Sequence, residues 1–330
     1  MHNPNRSGTC CRSGICMYPC FASNEVSVLI KGNKMLLIIN PRAGKCKGNK
    51  VLMEILRIFQ RSGFLSTVMV TEKSGDAAEF VIQYGNQHDL IVCIGGDGTL
   101  SEVIAGIVKG EIAKPIGYIP AGSANDYGSS LGLSSDLYTA AYDILNGSPE
   151  PFDIGLYNNK PFAYVAALGT FAKVSYSTSQ DMKNVCGHFA YVLEGIRNLH
   201  TLRSEHMVFD IDGERIEGDF ILGMISNTLS VGGLLRFNPQ QVMMDDGYLE
   251  IMLVSMPSSP KDLSDIIQAV STQSYSGCSS IIFRRGQQIS IHSKEQTSWS
   301  LDGEYTQDYE NISITIVPKA VQIVVPEMRE

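Results

Sequence analysis

The chain has 330 residues, long enough for about two domains at roughly 150 residues each. Its 44% hydrophobic and 18% charged content is that of a globular protein rather than a disordered one. The net charge of −8 gives no general basic footprint, so nucleic acid is not an expected partner.

No apolar run approaches the roughly 18 residues of a membrane span. The first residues also lack the basic, apolar and small-residue pattern of a signal peptide, so a cytoplasmic address is the default expectation. Cys46, Cys93, Cys186 and Cys278 are scattered without evident pairing, which suits a reducing compartment. Cys10, Cys11, Cys16 and Cys20 crowd together near the start but form no C-x-x-C pair for zinc. Residues 1–34 read either as a disordered, cysteine-rich extension or as sequence upstream of a true translation start at Met35.

Taken in chain order, residues 36–39 make a short apolar strand, and NPRAGKCKGNK follows as a polar loop. VLMEILRIFQ (51–60) carries apolar residues at helical spacing, and Gly63 ends it. Residues 65–70 predict a second strand. TEKSGDAAEFVIQYG predicts a turn, then a helix capped by Ser74 or Asp76 and closed by Gly85. Residues 90–94 predict a third strand running straight into GGDGTLSEVIAGI, whose apolar spacing continues as a helix to Lys109. KPIGYIP supplies a fourth strand. Strands alternating with helices predict a parallel sheet covered on both faces, an α/β domain over residues 35–150.

Beyond Pro149 and Pro151, strand-like segments dominate. FDIGLYNNKPFAYVAALG predicts a hairpin about Asn158 and Asn159, and HMVFDIDGERIEGDFILGMIS turns at Asp212-Gly213, a strong hairpin signal. Helical patterns interrupt at 187–201 and 260–270. Residues 151–330 are thus expected to form a mainly antiparallel β-sandwich domain, with the chain end returning to the first domain.

Ligands of parallel sheets bind beyond the strand C-termini. Three polar loops fall there: NPRAG (40–44), GGDGT (95–99) and PAGSAND (120–126). Glycines let backbone N–H groups approach phosphate oxygens, and a helix N-terminus adds favourable partial charge. One such loop is simply a tight strand-to-helix connection; three, after the first, third and fourth strands, point to a phosphate compound. Asp97 cannot attract phosphate itself. It makes sense there if it holds Mg²⁺, directly or through water, or hydrogen-bonds a nucleotide hydroxyl.

IINPRAGK, TEKSGDA, IGGDGTLSEVIAGI, PAGSANDYGSSLGL, FDIG, DDGYLEIMLV and LDGEY resemble, in this order, the diacylglycerol kinase catalytic-domain family. The match is closest to its soluble bacterial branch, related to sphingosine and ceramide kinases, and runs from Met35 to Pro326. GGDGT alone is shared with NAD kinases and phosphofructokinases; its combination with P-x-G-[ST]-x-N-D and a late D-G-E is specific. The resemblance implies an NAD-kinase-like, Rossmann-like ATP-binding domain and a β-rich lipid-substrate domain with the active site between them.

It implies nucleotide contacts from Asn40, Pro41, Arg42, Ala43, Gly44, Thr71, Gly95, Gly96, Asp97, Gly98, Thr99, Leu100, Ser101 and Ser123. Asn125 and Asp126 are expected to organise phosphate and metal with Asp97. Ser123 stands where many members have threonine, and Ser101-Glu102 replaces the commoner Asn-Glu. A structural Mg²⁺ is implied at the Met243 carbonyl, the Asp246 carboxylate and the Tyr248 carbonyl. Glu304 is the implied general base, and Asp153 is expected to join the same acid network.

The expected activity is an ATP- and Mg²⁺-dependent lipid kinase acting on diacylglycerol; the motifs do not select the lipid alcohol. An NAD-kinase-like enzyme with a soluble substrate, and a non-catalytic lipid- or nucleotide-binding protein on this scaffold, stay open. Peripheral membrane contact is expected through lysines at 45, 47 and 50 and at 173 and 183, with SNTLSVGGLLRFNP (226–239) as a pocket lip. Homodimerisation follows from base rates alone.

Overall fold

The structure is a computed structural model that describes residues 34–45, 47–169, 203–231, 235–237, 242–275, 277–306 and 309–327. The cysteine-rich start, the expected helix at 187–201, Lys173, Lys183 and part of the 226–239 lip lie outside the described residues.

The first half alternates strands and helices. They are β1 (Lys34–Ile39), α1 (Lys47–Arg61), β2 (Leu65–Val70), α2 (Asp76–Tyr84), β3 (Leu90–Gly95), α3 (Asp97–Lys109), β4 (Ile116–Pro120), α4 (Asp126–Ser130) and α5 (Leu137–Asn146). The four strands are parallel in the order β2-β1-β3-β4. Strand side chains alternate between faces, and here both faces are covered. Met35, Leu37 and Ile39 of β1 join Ile55 and Phe59 of α1 and Ala141 and Ile144 of α5 in one core layer. Leu36 and Ile38 pack on the opposite face, in a cluster with Val81 of α2 and Val103, Ile104 and Ile107 of α3. This is why the strands read as continuous apolar runs. Each such side chain, taken fully from water, contributes about 1.5–3 kcal/mol.

Helix α1 starts at Lys47, before the apolar periodicity begins. The expected cap of α2 is not made by Ser74 or Asp76. Gly75 stands there in the left-handed region, and Asp76 instead turns back to accept the Glu72 and Lys73 N–H groups at 2.7 and 2.9 Å. Helix α5 is absent from the sequence-based expectation, although Asp136 caps it by accepting the Thr139 N–H at 2.8 Å.

The second half is an antiparallel β-sandwich. Its strands are β5 (Ser148–Tyr157), β6 (Lys160–Phe162), β7 (Val165–Gly169), β8 (Glu205–Ile211), β9 (Glu214–Ser226), β10 (Ser230–Val231), β11 (Leu235–Arg236), β12 (Leu249–Ser255), β13 (Ile281–Gly286), β14 (Gln288–Thr297), β15 (Trp299–Leu301), β16 (Glu304–Tyr305) and β17 (Tyr309–Val325). One helix, α6 (Pro260–Thr272), lies between β12 and β13. The sandwich core gathers Phe162, Phe209, Phe220, Ile251, Ile291, Trp299 and Ile314. The hairpins turn at Asn158-Asn159 and Asp212-Gly213, all at positive φ.

Strand β17 is shared. Its first part pairs with β14, its length pairs with β5, and Ile323 pairs in parallel with Ile116 of β4. No helix among the described residues is long and apolar enough to cross a membrane.

Candidate functional site

Strand β1 lies between β2 and β3, so the strand order reverses beside it and the loops after β1 and β3 diverge. Such a switch point opens a crevice at the strand C-termini. The three glycine-bearing loops meet there and are laced together. Asn40 N–H donates to the Ile94 carbonyl (2.9 Å), its side-chain amide donates to Thr99 Oγ1 (3.1 Å), and Ala121 N–H donates to the Gly95 carbonyl (2.7 Å). The packing needs two glycines in particular. A Cβ on Gly44, at φ 51, would lie 1.9 Å from the Ala121 carbonyl oxygen. One on Gly122 would lie 2.5 Å from Asn125 Oδ1 and 2.6 Å from the Gly96 Cα. Thr71 is buried at the end of β2, with its N–H donating to the Ile39 carbonyl at 3.0 Å.

Helix α3 begins immediately after Gly95-Gly96, and no side chain caps it. Its N-terminal N–H groups and dipole end are therefore available to an anion. Arg42 and Ser123, on the loops after β1 and β4, are exposed, whereas Leu100 is buried in the core. Asp97 has a bridging role that the sequence left undefined. Its carboxylate accepts the Asp126 N–H at 3.0 Å and the Tyr127 N–H at 3.2 Å, tying α3 to the start of α4. Burial, then the nearby Asp126 charge, push Asp97 up to about 6. Asn125 adopts the left-handed conformation (φ 54) that turns the chain into α4. Asp126 is buried and accepts the Ser230 hydroxyl at 3.1 Å, and Ser130 and Thr228 share a 2.8 Å hydroxyl contact, so the second domain reaches this loop.

The turn carrying Glu304 is anchored by its neighbour, Asp302. The buried Asp302 carboxylate accepts the N–H groups of Ala163 (2.6 Å), Tyr164 (3.0 Å) and Val165 (3.0 Å), and also the Ser101 hydroxyl of α3. Ser101 thus joins the two domains. Glu304 itself is exposed, and its carboxylate lies 3.5 Å from the Ser74 hydroxyl, which also donates to Glu102 at 3.1 Å. Partial desolvation of the carboxylate, then the Glu102 charge, raise Glu304 above the ordinary carboxylate range. Two acids from different domains therefore face one hydroxyl.

Asp153 is fully buried and sits behind a different loop. It accepts the Gly247 N–H (2.6 Å) and the Lys319 N–H (2.7 Å), linking residues 243–248 to β17. Within that loop Met243 and Tyr248 are exposed, and Asp246 is paired with Arg285. Among the described residues no group of three or more His, Cys, Asp or Glu side chains is gathered to hold a metal.

Residues 34–157 match the diacylglycerol kinase catalytic domain, and residues 165–325 match the YegS C-terminal NAD kinase beta sandwich-like domain. A diacylglycerol kinase of Staphylococcus carnosus is 32% identical over 270 residues, covering 82% of this chain and 88% of that protein. The chain belongs to the diacylglycerol kinase catalytic-domain family. A diacylglycerol kinase of Staphylococcus aureus is 31% identical over 82% of this chain and 85% of its own length. A crystal structure from Bacillus anthracis, put forward as a diacylglycerol kinase, superposes with a TM-score of 0.79 at 25% identity, covering 92% and 98% of the two chains. A second, of a diacylglycerol kinase from the same organism, has a TM-score of 0.70 at 24% identity over 89% and 97% and supports the fold alone.

The chain is accordingly a kinase of this family, with the α/β and β-sandwich domains its motifs implied. Asp302, Ser230, Glu102 and Ser74 carry contacts here that their sequence motifs did not assign to them. Asp302 sits within the quoted LDGEY, but its acceptor role depends on backbone 163–165, which no local pattern connects to it.

Proposed function

We propose that this kinase transfers the γ-phosphoryl group of Mg²⁺-bound ATP to the hydroxyl of a lipid alcohol, with diacylglycerol the substrate and phosphatidic acid the product. The observation that carries the reading is the Asp302–Ser101 link, which fixes the Glu304 turn of one domain over the α3 N-terminus of the other. An acceptor hydroxyl and a phosphate chain need that juxtaposition for in-line transfer.

The N-terminal N–H groups of α3, with Arg42 and the Ser123 hydroxyl, bind and orient the phosphates. Mg²⁺ carried with the nucleotide fits Asp97 and Asp126, two carboxylates close enough to repel, because this ion favours one or two carboxylates plus phosphate oxygens. When bound, it supplies positive charge against the transferring phosphoryl group. Glu304 orients the acceptor hydroxyl and takes its proton as the oxygen–phosphorus bond forms. Its raised proton affinity suits it to that task, and Ser74 steadies it. Exposed Tyr305 beside it gives an apolar surface for the lipid, which is met by peripheral contact with a membrane surface.

The test is transfer of radiolabel from γ-³²P-ATP to a panel of acceptors in mixed micelles: diacylglycerol, a sphingoid base, ceramide, undecaprenol and phosphatidylglycerol, with NAD as the soluble acceptor. Label in phosphatidic acid is expected. Labelling of NAD without lipid would replace this reading with a soluble-substrate kinase. Nucleotide binding without transfer to any acceptor would leave a binding protein.

A further inference from the structure

The family resemblance places a divalent cation in the loop at residues 243–248, with Asp246 as its carboxylate. In this chain that carboxylate is already satisfied. Arg285 of β13 pairs with Asp246 through its guanidinium, and its Nε lies 3.3 Å from Glu250 Oε1 of β12. The guanidinium also stacks 4.9 Å from the centre of the Tyr248 ring. The other Asp246 oxygen accepts the Tyr248 N–H at 3.1 Å.

Two further positions of the loop, Met244 and Gly247, are held by protein groups. Gln287 Nε2 donates to the Gly247 carbonyl (3.0 Å). On the inner side Asp153 accepts the Gly247 N–H and donates its own N–H to the Met244 carbonyl (2.9 Å), which Asn227 Nδ2 also reaches at 3.2 Å.

We infer that Arg285 is the resident counter-charge of this loop, standing where a structural divalent cation is expected, so that the loop is ordered without metal. A guanidinium keeps its charge at every working pH, offers fixed forked donors and repels a second cation at the same carboxylate. The cross-strand register explains its placement. Arg285 and Glu250 are direct partners in the β12–β13 pair, which aims the guanidinium at the loop that precedes β12. Sequence alone offers only D-D-G-Y and an arginine some forty residues later; the pairing of β13 brings them together.

The inference is independent of any Mg²⁺ bound with a nucleotide, so it is tested without nucleotide. Thermal unfolding of the full chain is measured in EDTA and in millimolar Mg²⁺, and Mn²⁺ binding is followed by electron paramagnetic resonance. For the native chain the midpoint is expected to be the same in both buffers, with no tight Mn²⁺ that Asp246→Asn removes. Arg285→Met is expected to melt lower and to regain at least half of the loss in Mg²⁺, because the exposed carboxylate then takes the ion. Arg285→Lys, which keeps a charge but loses the fork, covers the case in which Arg285→Met does not fold; it is expected to melt below the native chain and stay indifferent to Mg²⁺. A Mg²⁺-dependent rise in the native midpoint that Asp246→Asn abolishes would overturn the inference, as would stoichiometric Mn²⁺ on the native chain lost in the same variant.

Discussion

Glu304 and Asp302 stand two residues apart and do different work. Asp302 is buried and spends its carboxylate on backbone and on Ser101, whereas Glu304 is exposed and shares Ser74 with Glu102. A base acts only when deprotonated. Since partial desolvation and the Glu102 charge hold the proton on Glu304 to higher pH, activity is expected to be lost as pH falls through a raised pKa. The acid limb of the kcat–pH profile is therefore expected above the roughly 4.3 of an ordinary glutamate, and Glu102→Gln should move it downward. A limb indifferent to residue 102 would remove Glu102 from the base's environment. Replacing Asp302 by Asn leaves buried N–H groups facing a weaker acceptor. Asp302→Asn is expected to cost about 1–3 kcal/mol in chemical denaturation and to lower kcat, because the turn that carries Glu304 loosens. The motif made Glu304 legible in the sequence; the acceptor role of Asp302 was hidden because its partners are backbone groups.

At the level of elements, the site is three strand-to-helix loops pressed together. Their strands and the α3 helix were legible because buried parallel strands read as apolar runs and α3 has clear periodicity. Helix α5 was not, although Asp136 and the spacing of Leu137, Ala140, Ala141 and Ile144 were present to signal it. The α2 cap was misplaced because Asp76 caps the preceding turn instead of the helix. The close approach of Gly122 to Gly96 could not be read either, since it depends on the packing of two loops distant in sequence. Gly122→Ala puts a methyl group against Asn125 and the Gly96 backbone, so it should spread the phosphate loops. A KM for ATP raised about 10-fold or more, together with a lowered thermal midpoint, is the expected outcome. An unaltered KM would show that these loops do not set the nucleotide's position.

Across the whole molecule, the two domains are built as one folding unit. A single apolar cluster runs from Ile104 and Tyr127 of the first domain to Tyr164, Met224 and Met252 of the second, and β17 joins both sheets. Calorimetry is expected to give one transition whose calorimetric and van't Hoff enthalpies agree; two separated transitions would contradict this coupling. The order of the sheet is also what brings Glu304, near the chain end, over loops formed in the first third of the sequence. In the proposed reaction Glu304 acts on a lipid hydroxyl beside a nucleotide held by those loops. Rapid-quench measurement of a single turnover of ATP with diacylglycerol micelles, comparing the native chain with Glu304→Gln, tests it most directly. The chemical step is expected to slow roughly 10²- to 10⁴-fold with nucleotide affinity unchanged. A Glu304→Gln chain that transfers phosphate at near-native rate would contradict it.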